Sequence, residues 1–295
     1  MCSSITMNME KELVKGPFSY SGNKFRIWKG HLSAAMSNFE KIHEPFIGSG
    51  VCLYNSAKGG QGIDIDENVV ALHNALLDDS LLEKMKEAYG AYFANGRDKD
   101  GYVALRSDFN KSFLKHGTCG ENAHLLHLLI QLGFNSLLRF SKSGYNVPFG
   151  RKEVDFARIE THQRIRRQKE IDVRCGKWNS LDLSKIDKDK DLIYFDPPYI
   201  ASKFQYGGWE KEDEIQLLEY IDRIDGAGYK FILSNTFSHR KKVNQNLIDW
   251  SKKHFVKRIS MSYNSWAAAV SSVDVEKNTD EVIISNFSIF NTTPI

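Results

Sequence analysis

DLIYFDPPYI, residues 191–200, is the stretch that decides the fold, because an apolar run of four residues ends directly in Asp-Pro-Pro-Tyr. A short, uninterrupted apolar run is typical of a strand that is buried on both faces of a parallel sheet. In open α/β sheets, ligands bind beyond the carboxyl ends of such strands. We therefore expect residues 196–199 to line a ligand site.

The loop at 196–199 suits a planar ligand that carries an NH2 group. Its two prolines have no N–H to donate, so the backbone carbonyls remain available as acceptors. The carboxylate of Asp196 and the carbonyl of Pro197 can each accept one amine hydrogen, while the ring of Tyr199 can stack on the ligand. The sequence therefore predicts Asp196, Pro197 and Tyr199 as catalytic residues, in preference to an ordinary turn after a strand.

A glycine-rich turn, Gly48-Ser49-Gly50, follows an apolar strand in EPFIGSGVCLYN (44–55). Glycine allows the backbone to approach a ligand closely. The turn lacks the third glycine of the GxGxxG dinucleotide fingerprint, which disfavours a nicotinamide-dependent enzyme. On its own, this turn is as typical of a plain loop as of a ligand site.

A second strand, in GIDIDENV (62–69), ends in Asp64, at a spacing after the glycine turn that suits hydrogen bonds to a ribose diol. Asp66 is the competing candidate for this role. It is also a suitable N-cap for a helix that begins at Glu67 or Asn68. Both interpretations of the acidic pair stay open at this point.

A compact polar turn, FSYSGNKFRI (18–27), precedes the first predicted helix. Its Lys24 suits a ligand carboxylate, although such turns are also common on protein surfaces.

Strand–helix alternation at both ends of the chain flanks a helical middle, which predicts one α/β domain that carries an insertion. The expected parts are a first α/β segment at 1–75, an insertion at 76–170 and a second α/β segment at 171–295. Within the insertion, KSG (142–144) indicates a hairpin with its turn at Ser143-Gly144. The predicted helices are 67–94, 101–134 in two pieces joined near 115–122, 212–228 and 247–255, and the predicted strands include 192–195, 230–235 and 281–287.

The composition is that of a globular protein, with 41% hydrophobic and 26% charged residues among 295. This excludes wholesale disorder, and no apolar run reaches the roughly 18–20 residues needed to span a bilayer. The N-terminus has no apolar segment of the kind found in signal peptides, so we expect a cytoplasmic protein. Four scattered cysteines lack metal-ligand spacing, and no metal cofactor is expected.

The segment 151–169 contains seven basic and three acidic residues, a larger positive excess than the net +3 of the whole chain. Such a segment is either a solvated helix face or a surface that contacts phosphates. The sharper hypothesis assigns phosphate contacts to Arg151, Lys152, Arg166 and Arg167.

Taken in order, these motifs resemble those of the DNA adenine-N6 methyltransferases that use S-adenosylmethionine, in particular the Dam group, and most strongly its phage-type enzymes. The resemblance covers nearly the whole chain after residue 17. It implies a Rossmann-like methyltransferase sheet with an inserted, mainly helical target-recognition domain that contains the hairpin. The matching stretches are YSGNK (20–24), FIGSG (46–50), IDI (63–65), YVALRSDFN (102–110), GFNSLLRFSKSGYNVPFG (133–150), DPPY (196–199), KFILSN (230–235) and NTDEVIISNF (278–287).

Position by position, the resemblance implies a site for S-adenosylmethionine. Lys24 would lie near the carboxylate of this cofactor, Asp64 would bind its ribose, and Asp182 and Leu183 would frame its adenine. Leu183 stands where phenylalanine is commoner in the family, and Ser49 replaces a frequent glycine. The implied cofactor-binding residues are Tyr20, Lys24, Phe46, Gly48, Ser49, Gly50, Asp64, Asp182, Leu183 and Asp196.

The resemblance also implies double-stranded DNA as the partner, with site-specific methyl transfer to N6 of a flipped-out adenine. In the insertion, the residues that match DNA-approaching positions are Phe134, Asn135, Leu137 and Arg139. The family suggests a GATC-like site and a bacterial or phage-encoded enzyme that is a monomer or a weak dimer on DNA. Whether a cognate restriction endonuclease accompanies it stays open.

Two other functions are compatible with the same motifs. One is a methyltransferase that acts on another amine, such as cytosine N4, RNA or a protein glutamine. The other is a catalytically silent DNA-binding protein of the same fold. The intact set of Asp196, Tyr199, Lys24 and Asp64 disfavours the silent protein.

Overall fold

The protein is an arrangement of strands and helices around one mostly parallel sheet. The computed structural model describes residues 13–20, 22, 24–150, 152–200, 208–239, 242–260 and 279–289. Its strands are β1 (Ile42–His43), β2 (Gly59–Asp64), β3 (Phe140–Ser141), β4 (Gly144–Tyr145), β5 (Glu170–Cys175), β6 (Leu192–Phe195), β7 (Phe231–His239), β8 (Lys242–Val243), β9 (Phe255–Ser260) and β10 (Thr279–Ser285). Its α-helices are α1 (Phe25–Ile27), α2 (Ser33–Met36), α3 (Val51–Asn55), α4 (Glu67–Ala75), α5 (Leu81–Tyr92), α6 (Lys99–His116), α7 (Ala123–Leu132), α8 (Phe156–Gln168), α9 (Lys211–Gly226) and α10 (Gln245–Ser251).

The strands of the central sheet follow the order β5-β2-β1-β6-β7-β10-β9. β2 pairs with β5, and β6 pairs with β1 and β7, all in parallel. Two parallel bridges, Lys41 to Gly59 and Glu44 to Gly62, join β1 to β2. β10 runs antiparallel to both β7 and β9. The predicted mixed α/β fold is therefore confirmed, and the loops that follow β1, β2 and β6 meet at one edge of the sheet.

Strand β6 shows why the sequence LIYF is apolar throughout. Successive side chains of a strand point to opposite faces. Ile193 and Phe195 pack with α9 on one face, whereas Leu192 and Tyr194 pack with the helical segment 25–36 on the other. Because both faces are covered, all four side chains are buried. This confirms the predicted strand and fixes the position of the loop that follows it.

The helical middle of the chain packs around α7, which is buried along most of its length. Helices α4, α5 and α6 all contact it. The hairpin of β3 and β4 lies on α6, where the Asn110 side chain both donates to and accepts from the backbone of Tyr145, at 3.0 and 2.8 Å. The predicted hairpin is confirmed, but its turn consists of Lys142 and Ser143, one residue earlier than expected.

Other predicted boundaries need correction. The helix expected over 67–94 is two helices, because the chain turns at 76–80, where Asp78 accepts a hydrogen bond from the backbone of Ser80 at 2.9 Å. Strands β5 and β9 are absent from the prediction. Both lie at the edges of the sheet and bury few of their described side chains, Val173 and Ile259 among them, so neither has a continuous apolar run.

Within the described residues, no helix has both the length and the apolar character needed to cross a membrane.

Candidate active site

The DPPY loop, residues 196–199, carries a compact charged cluster at the end of β6. The Nζ of Lys24 lies 2.9 Å from Oδ1 of Asp196, and the hydroxyl of Tyr199 donates to the same oxygen at 3.2 Å. Lys24 also donates to the carbonyl of Gly22 and lies 4.8 Å from the centre of the Tyr199 ring. The side chains of Lys24 and Asp196 are only 11% and 19% exposed. The structure therefore joins the predicted catalytic loop to Lys24 of the N-terminal turn.

Burial controls the charge of this cluster. It raises the pKa of Asp196, while the neighbouring Lys24 ammonium opposes the shift. Burial also raises the pKa of Glu44, at the end of β1, to about 8. The backbone N–H of Leu53 donates to Glu44 at 2.6 Å and stabilises the ionised form in part, whereas the charge of Asp196 acts against it. Carboxylates in such surroundings bind protons more readily than in water.

The glycine turn closes against the end of β2. Gly48 and Gly50 have φ values of 45° and 66°, a left-handed conformation that favours glycine. A Cβ on Gly48 would lie 3.0 Å from the ring of Tyr20, so the two residues are in close contact. The backbone N–H of Gly48 donates to Asp64 at 3.0 Å. The structure thus brings together Tyr20, the glycine turn and Asp64, as the sequence predicts.

The two acidic residues at the end of β2, Asp64 and Asp66, have different partners. Asp66 is the N-cap of α4, since its side chain accepts from the backbone of Asn68 at 2.9 Å. Asp64 instead accepts from the backbone N–H groups of Gly48 and Asp66, and burial raises its pKa to about 6. Each carboxylate oxygen can accept two hydrogen bonds, so Asp64 keeps acceptor capacity for a ligand hydroxyl.

The side chain of His73 contacts the backbone of the glycine turn. Its Nε2 lies 2.8 Å from the carbonyl of Gly48, and its Nδ1 lies 3.0 Å from the hydroxyl of Tyr54. Burial lowers the pKa of His73 to about 3, so the ring is neutral at pH 7. A neutral imidazole has one donor and one acceptor, which fits donation to Gly48 and acceptance from Tyr54.

Gln61, in the middle of β2, fixes the segment predicted to frame adenine. Its side chain donates to the carbonyl of Asp182 and accepts from the N–H of the same residue, both at 3.0 Å. The Asp182 carboxylate accepts from the backbone and hydroxyl of Ser184. The hydroxyl of Tyr229 donates to the carbonyl of Leu183 at 3.1 Å. Asp182 and Leu183 are therefore held by β2 on one side and by the chain before β7 on the other.

Phe46, also predicted to contact the cofactor, is partly buried beside Trp209, with ring centres 5.6 Å apart.

The recognition turn, defined as residues 134–139, lies between α7 and the hairpin. Asn135 and Ser136 have φ values of 54° and 51°, which is unusual for residues with a side chain. The turn leaves Phe134 53% exposed. Arg139 is exposed as well, and it donates to the side chain and the carbonyl of Asn146 at 2.7 and 3.1 Å. Leu137 is half-buried.

The basic segment 151–169 does not form one charged surface. Arg151 lies outside the described residues. Lys152 is exposed and donates to the hydroxyl of Ser136 at 3.1 Å, which places it beside the recognition turn. Arg166 is only 5% exposed and donates to the carbonyl of Ile171, which is at odds with its predicted role in phosphate contact. Arg167 is exposed and forms an ion pair with Asp79.

Three residues of the site escaped sequence reasoning. Glu44 and His73 give no signal by residue type or spacing, since their roles depend on contacts made by the fold. Gln61 does carry a signal, because it is a polar residue between glycines in the interior of β2. Among the described residues, we find no group of three or more His, Cys, Asp or Glu side chains arranged to hold a metal ion.

The sheet and the pairing of an acidic DPPY loop with a glycine turn are those expected of an amine methyltransferase. A family model for the D12 class of N6 adenine-specific DNA methyltransferases matches residues 20–267. The chain therefore belongs to this family, and the predicted membership is confirmed. A methyltransferase of this family implies S-adenosylmethionine as the methyl donor.

Individual relatives are distant. The chain is 26% identical to the Type II methyltransferase M.FokI of Planomicrobium okeanokoites, over 93% of this chain and 43% of the relative. It is 24% identical to the modification methylase StsI of Streptococcus sanguinis, over 97% and 45%. It is 30% identical to a DNA adenine methylase of Haemophilus influenzae, over 65% and 66%. The chain thus spans less than half the length of the first two relatives.

Proposed function

We propose that the protein transfers a methyl group from S-adenosylmethionine to N6 of an adenine that is flipped out of double-stranded DNA. The observation that carries the proposal is the cluster of Asp196, Lys24 and Tyr199 beside the glycine turn. An acidic acceptor and an aromatic ring lie together there, and the carbonyl of Pro197 follows the acid directly in the chain, at the edge of the sheet where α/β folds bind ligands. The relatives' names, which include Type II methyltransferases and a DNA adenine methylase, support the same reaction.

The chemistry expected of the DPPY loop follows from the weakness of an aromatic amine as a nucleophile. Asp196 and the carbonyl of Pro197 each accept one N–H of the amine, which draws the lone pair away from the ring and orients it. When bound, S-adenosylmethionine supplies a methyl group on a positively charged sulfur. A nitrogen–carbon bond forms as the sulfur–carbon bond breaks, and Asp196, whose pKa burial raises, is placed to receive the proton that the nitrogen loses. Positioning and electrostatics supply most of the acceleration.

The residues around the glycine turn fit the methyl donor. Gly48 and Gly50 have no side chain to keep a ligand away from the backbone of the turn, and Asp64 retains acceptor capacity for ribose hydroxyls. Gln61 holds the segment at Asp182 and Leu183, which we assign to the adenine of the donor. Lys24 has a third N–H beyond those that bond Asp196 and Gly22, and we assign it to the donor carboxylate.

We assign DNA recognition to the recognition turn, within an inserted domain at 76–170. The turn contains an exposed phenylalanine, Phe134, which can stack on a base. It also contains an exposed arginine, Arg139, and arginine is the commonest reader of guanine edges. Asn135 and Leu137 are further candidate DNA contacts, and Lys152 and Arg151 are the basic residues we retain for phosphates. Flipping costs a few kcal/mol of lost stacking, and the Tyr199 ring offsets part of that cost. A GATC-like site, a partner endonuclease and a location in the cytoplasm belong to this proposal.

A labelled methyl donor tests the proposed function. The purified protein would be incubated with the donor and, separately, with duplex DNA, RNA and a protein mixture, and the labelled base would be identified after digestion. We expect label in DNA alone, as N6-methyladenine. Label in cytosine, RNA or protein would establish a different amine substrate, and donor binding without any labelled product would establish a catalytically silent protein.

A further inference from the structure

The N-terminal segment, defined as residues 15–19, lies directly on the glycine turn. A Cβ added to Gly16 would lie 2.1 Å from the carbonyl oxygen of Ser49, so the two backbones leave no room for a side chain. Phe18 is fully buried, and its ring centre is 5.0 Å from that of His73, which bonds the carbonyl of Gly48. The position of this segment and the shape of the glycine turn therefore determine each other.

Helix α8 holds the N-terminal segment in place. The Nε of Arg158 donates to the carbonyl of Gly16 at 2.7 Å, and its Nη2 donates to the same oxygen. The Nε2 of His162 lies 2.7 Å from the carbonyl of Lys15. His162 is 2% exposed, and burial lowers its pKa to about 4, so it is neutral at pH 7. These contacts join residues that are about 140 positions apart in the sequence, and they tie α8 to the backbone that covers the glycine turn.

The N-terminal end of the same helix is also tied to α7, which leads into the recognition turn. Asp155 is the N-cap of α8, since its carboxylate accepts from the N–H of Arg158 at 3.0 Å. The N–H of Asp155 donates to the side chain of Gln131 at 2.7 Å. Gln131 lies in α7, close before the recognition turn. One continuous set of contacts therefore runs from Gln131, near the end of α7 and shortly before the recognition turn, through Asp155 and Arg158 to Gly16 and Ser49.

We propose that Arg158 is a positioning residue for the methyl-donor site, and that it couples DNA binding at the recognition turn to donor binding at the glycine turn. The inference rests on the proposed function of these two sites. DNA that fixes the recognition turn also fixes the start of α8. The fixed helix holds Gly16 against Ser49 and so favours the donor-binding shape of the glycine turn. Such coupling is reciprocal, so the donor must strengthen DNA binding by the same factor.

The first test measures the dissociation constant of S-adenosylhomocysteine, the unreactive product, in the absence of DNA. Arg158→Lys keeps the charge but loses the paired donation to Gly16, and Gly16→Ala forces the segment away from Ser49. We expect both variants to bind the product about tenfold more weakly than the wild type. Two matched controls, Arg164→Ala on the exposed face of α8 and Gly90→Ala, where nothing lies within 4 Å, should bind it as the wild type does.

The second test adds duplex DNA that contains the sequence methylated by the wild-type protein. We expect DNA to tighten product binding by the wild type at least about fivefold, and to do so much less in Arg158→Lys. In kinetics, the KM for the donor should rise while kcat at saturating donor stays close to that of the wild type. Thermal melting of every variant separates this effect from a loss of folding, which would lower kcat as well.

The outcomes distinguish the inference from the proposal beneath it. Wild-type protein that binds neither S-adenosylmethionine nor its product would overturn the proposed function, and the inference with it. Wild-type binding that both Arg158→Lys and Gly16→Ala retain unchanged would overturn the inference alone, as would coupling to DNA that survives in Arg158→Lys.

Discussion

Asp196 and Arg139 are both proposed to offer a hydrogen-bonding charge to a ligand, yet the protein holds them in opposite surroundings. Asp196 is largely buried, paired with Lys24, and has a pKa that burial raises. Arg139 is exposed and donates hydrogen bonds to Asn146, seven residues away. Chemistry on an amine needs a dry, preorganised acceptor, whereas reading a base needs a side chain that can reach into a groove.

The largest effect should come from the buried region. Asp196→Ala removes an acceptor of the amine hydrogens, and we expect the methylation rate to fall at least about 10²–10³-fold. Thermal melting should show that the variant still folds, and the binding of S-adenosylhomocysteine should weaken far less than the rate falls. Asp189→Ala, which removes an exposed carboxylate from the loop before β6, serves as the matched control. Turnover by Asp196→Ala at the wild-type rate would contradict the role given to this residue.

The next effect concerns the exposed region. Arg139→Ala should lower the discrimination between cognate and altered sites by about 1–3 kcal/mol, measured as the ratio of kcat/KM values. Asn146→Ala should produce a smaller loss in the same direction, because it frees Arg139 without removing it. Lys142→Ala removes an exposed charge from the hairpin turn and should leave discrimination intact. Equal effects of Arg139→Ala and Lys142→Ala would show that Arg139 contributes only positive charge to DNA binding and does not read the sequence.

The third prediction concerns pH and the Asp196–Lys24 pair. Asp196 must be ionised to accept amine hydrogens, so the rate is lost as pH falls through its pKa. Burial raises this pKa and Lys24 opposes the rise, and the other titratable neighbours of Asp196 include Glu44, Cys52, Tyr194 and Tyr199. Lys24→Gln should therefore move the acid limb of the kcat profile to higher pH, by about one unit.

The control for this pH experiment is Lys58→Gln, because Lys58 is exposed and pairs with Glu40 away from the site. Its acid limb should coincide with that of the wild type. An acid limb in Lys24→Gln at the wild-type position would show that Lys24 does not set the charge of Asp196.

The smallest effect separates two basic residues that the sequence treats alike. Lys152→Ala should reduce the slope of log affinity for DNA against log salt by about 0.9, the share of one phosphate contact. Arg166→Ala should leave this slope unchanged. It should instead lower the free energy of unfolding by about 1.5–3 kcal/mol, because the buried guanidinium donates hydrogen bonds to Ile171 and Asn74. A slope that changes only in Arg166→Ala would reverse these assignments.

The two regions also differ in how far the sequence predicts them. The apolar run before Asp196 and the glycines at 48 and 50 are local signals, and the structure brings their loops together. The sequence predicts the wrong surroundings for Arg166, because a basic residue gives the same signal whether it faces solvent or donates a hydrogen bond to the carbonyl of Ile171. Glu44 and Arg158 depend on contacts between strands and helices far apart in the chain, which no local pattern encodes.

The most direct test of the account is to map N6-methyladenine in the DNA of cells that lack this modification and express the protein. The account predicts N6-methyladenine in one recurring sequence context with the wild type, and none with Asp196→Ala expressed at the same level. Unmodified DNA in the presence of folded wild-type protein, or the same methylation pattern with Asp196→Ala, would contradict it.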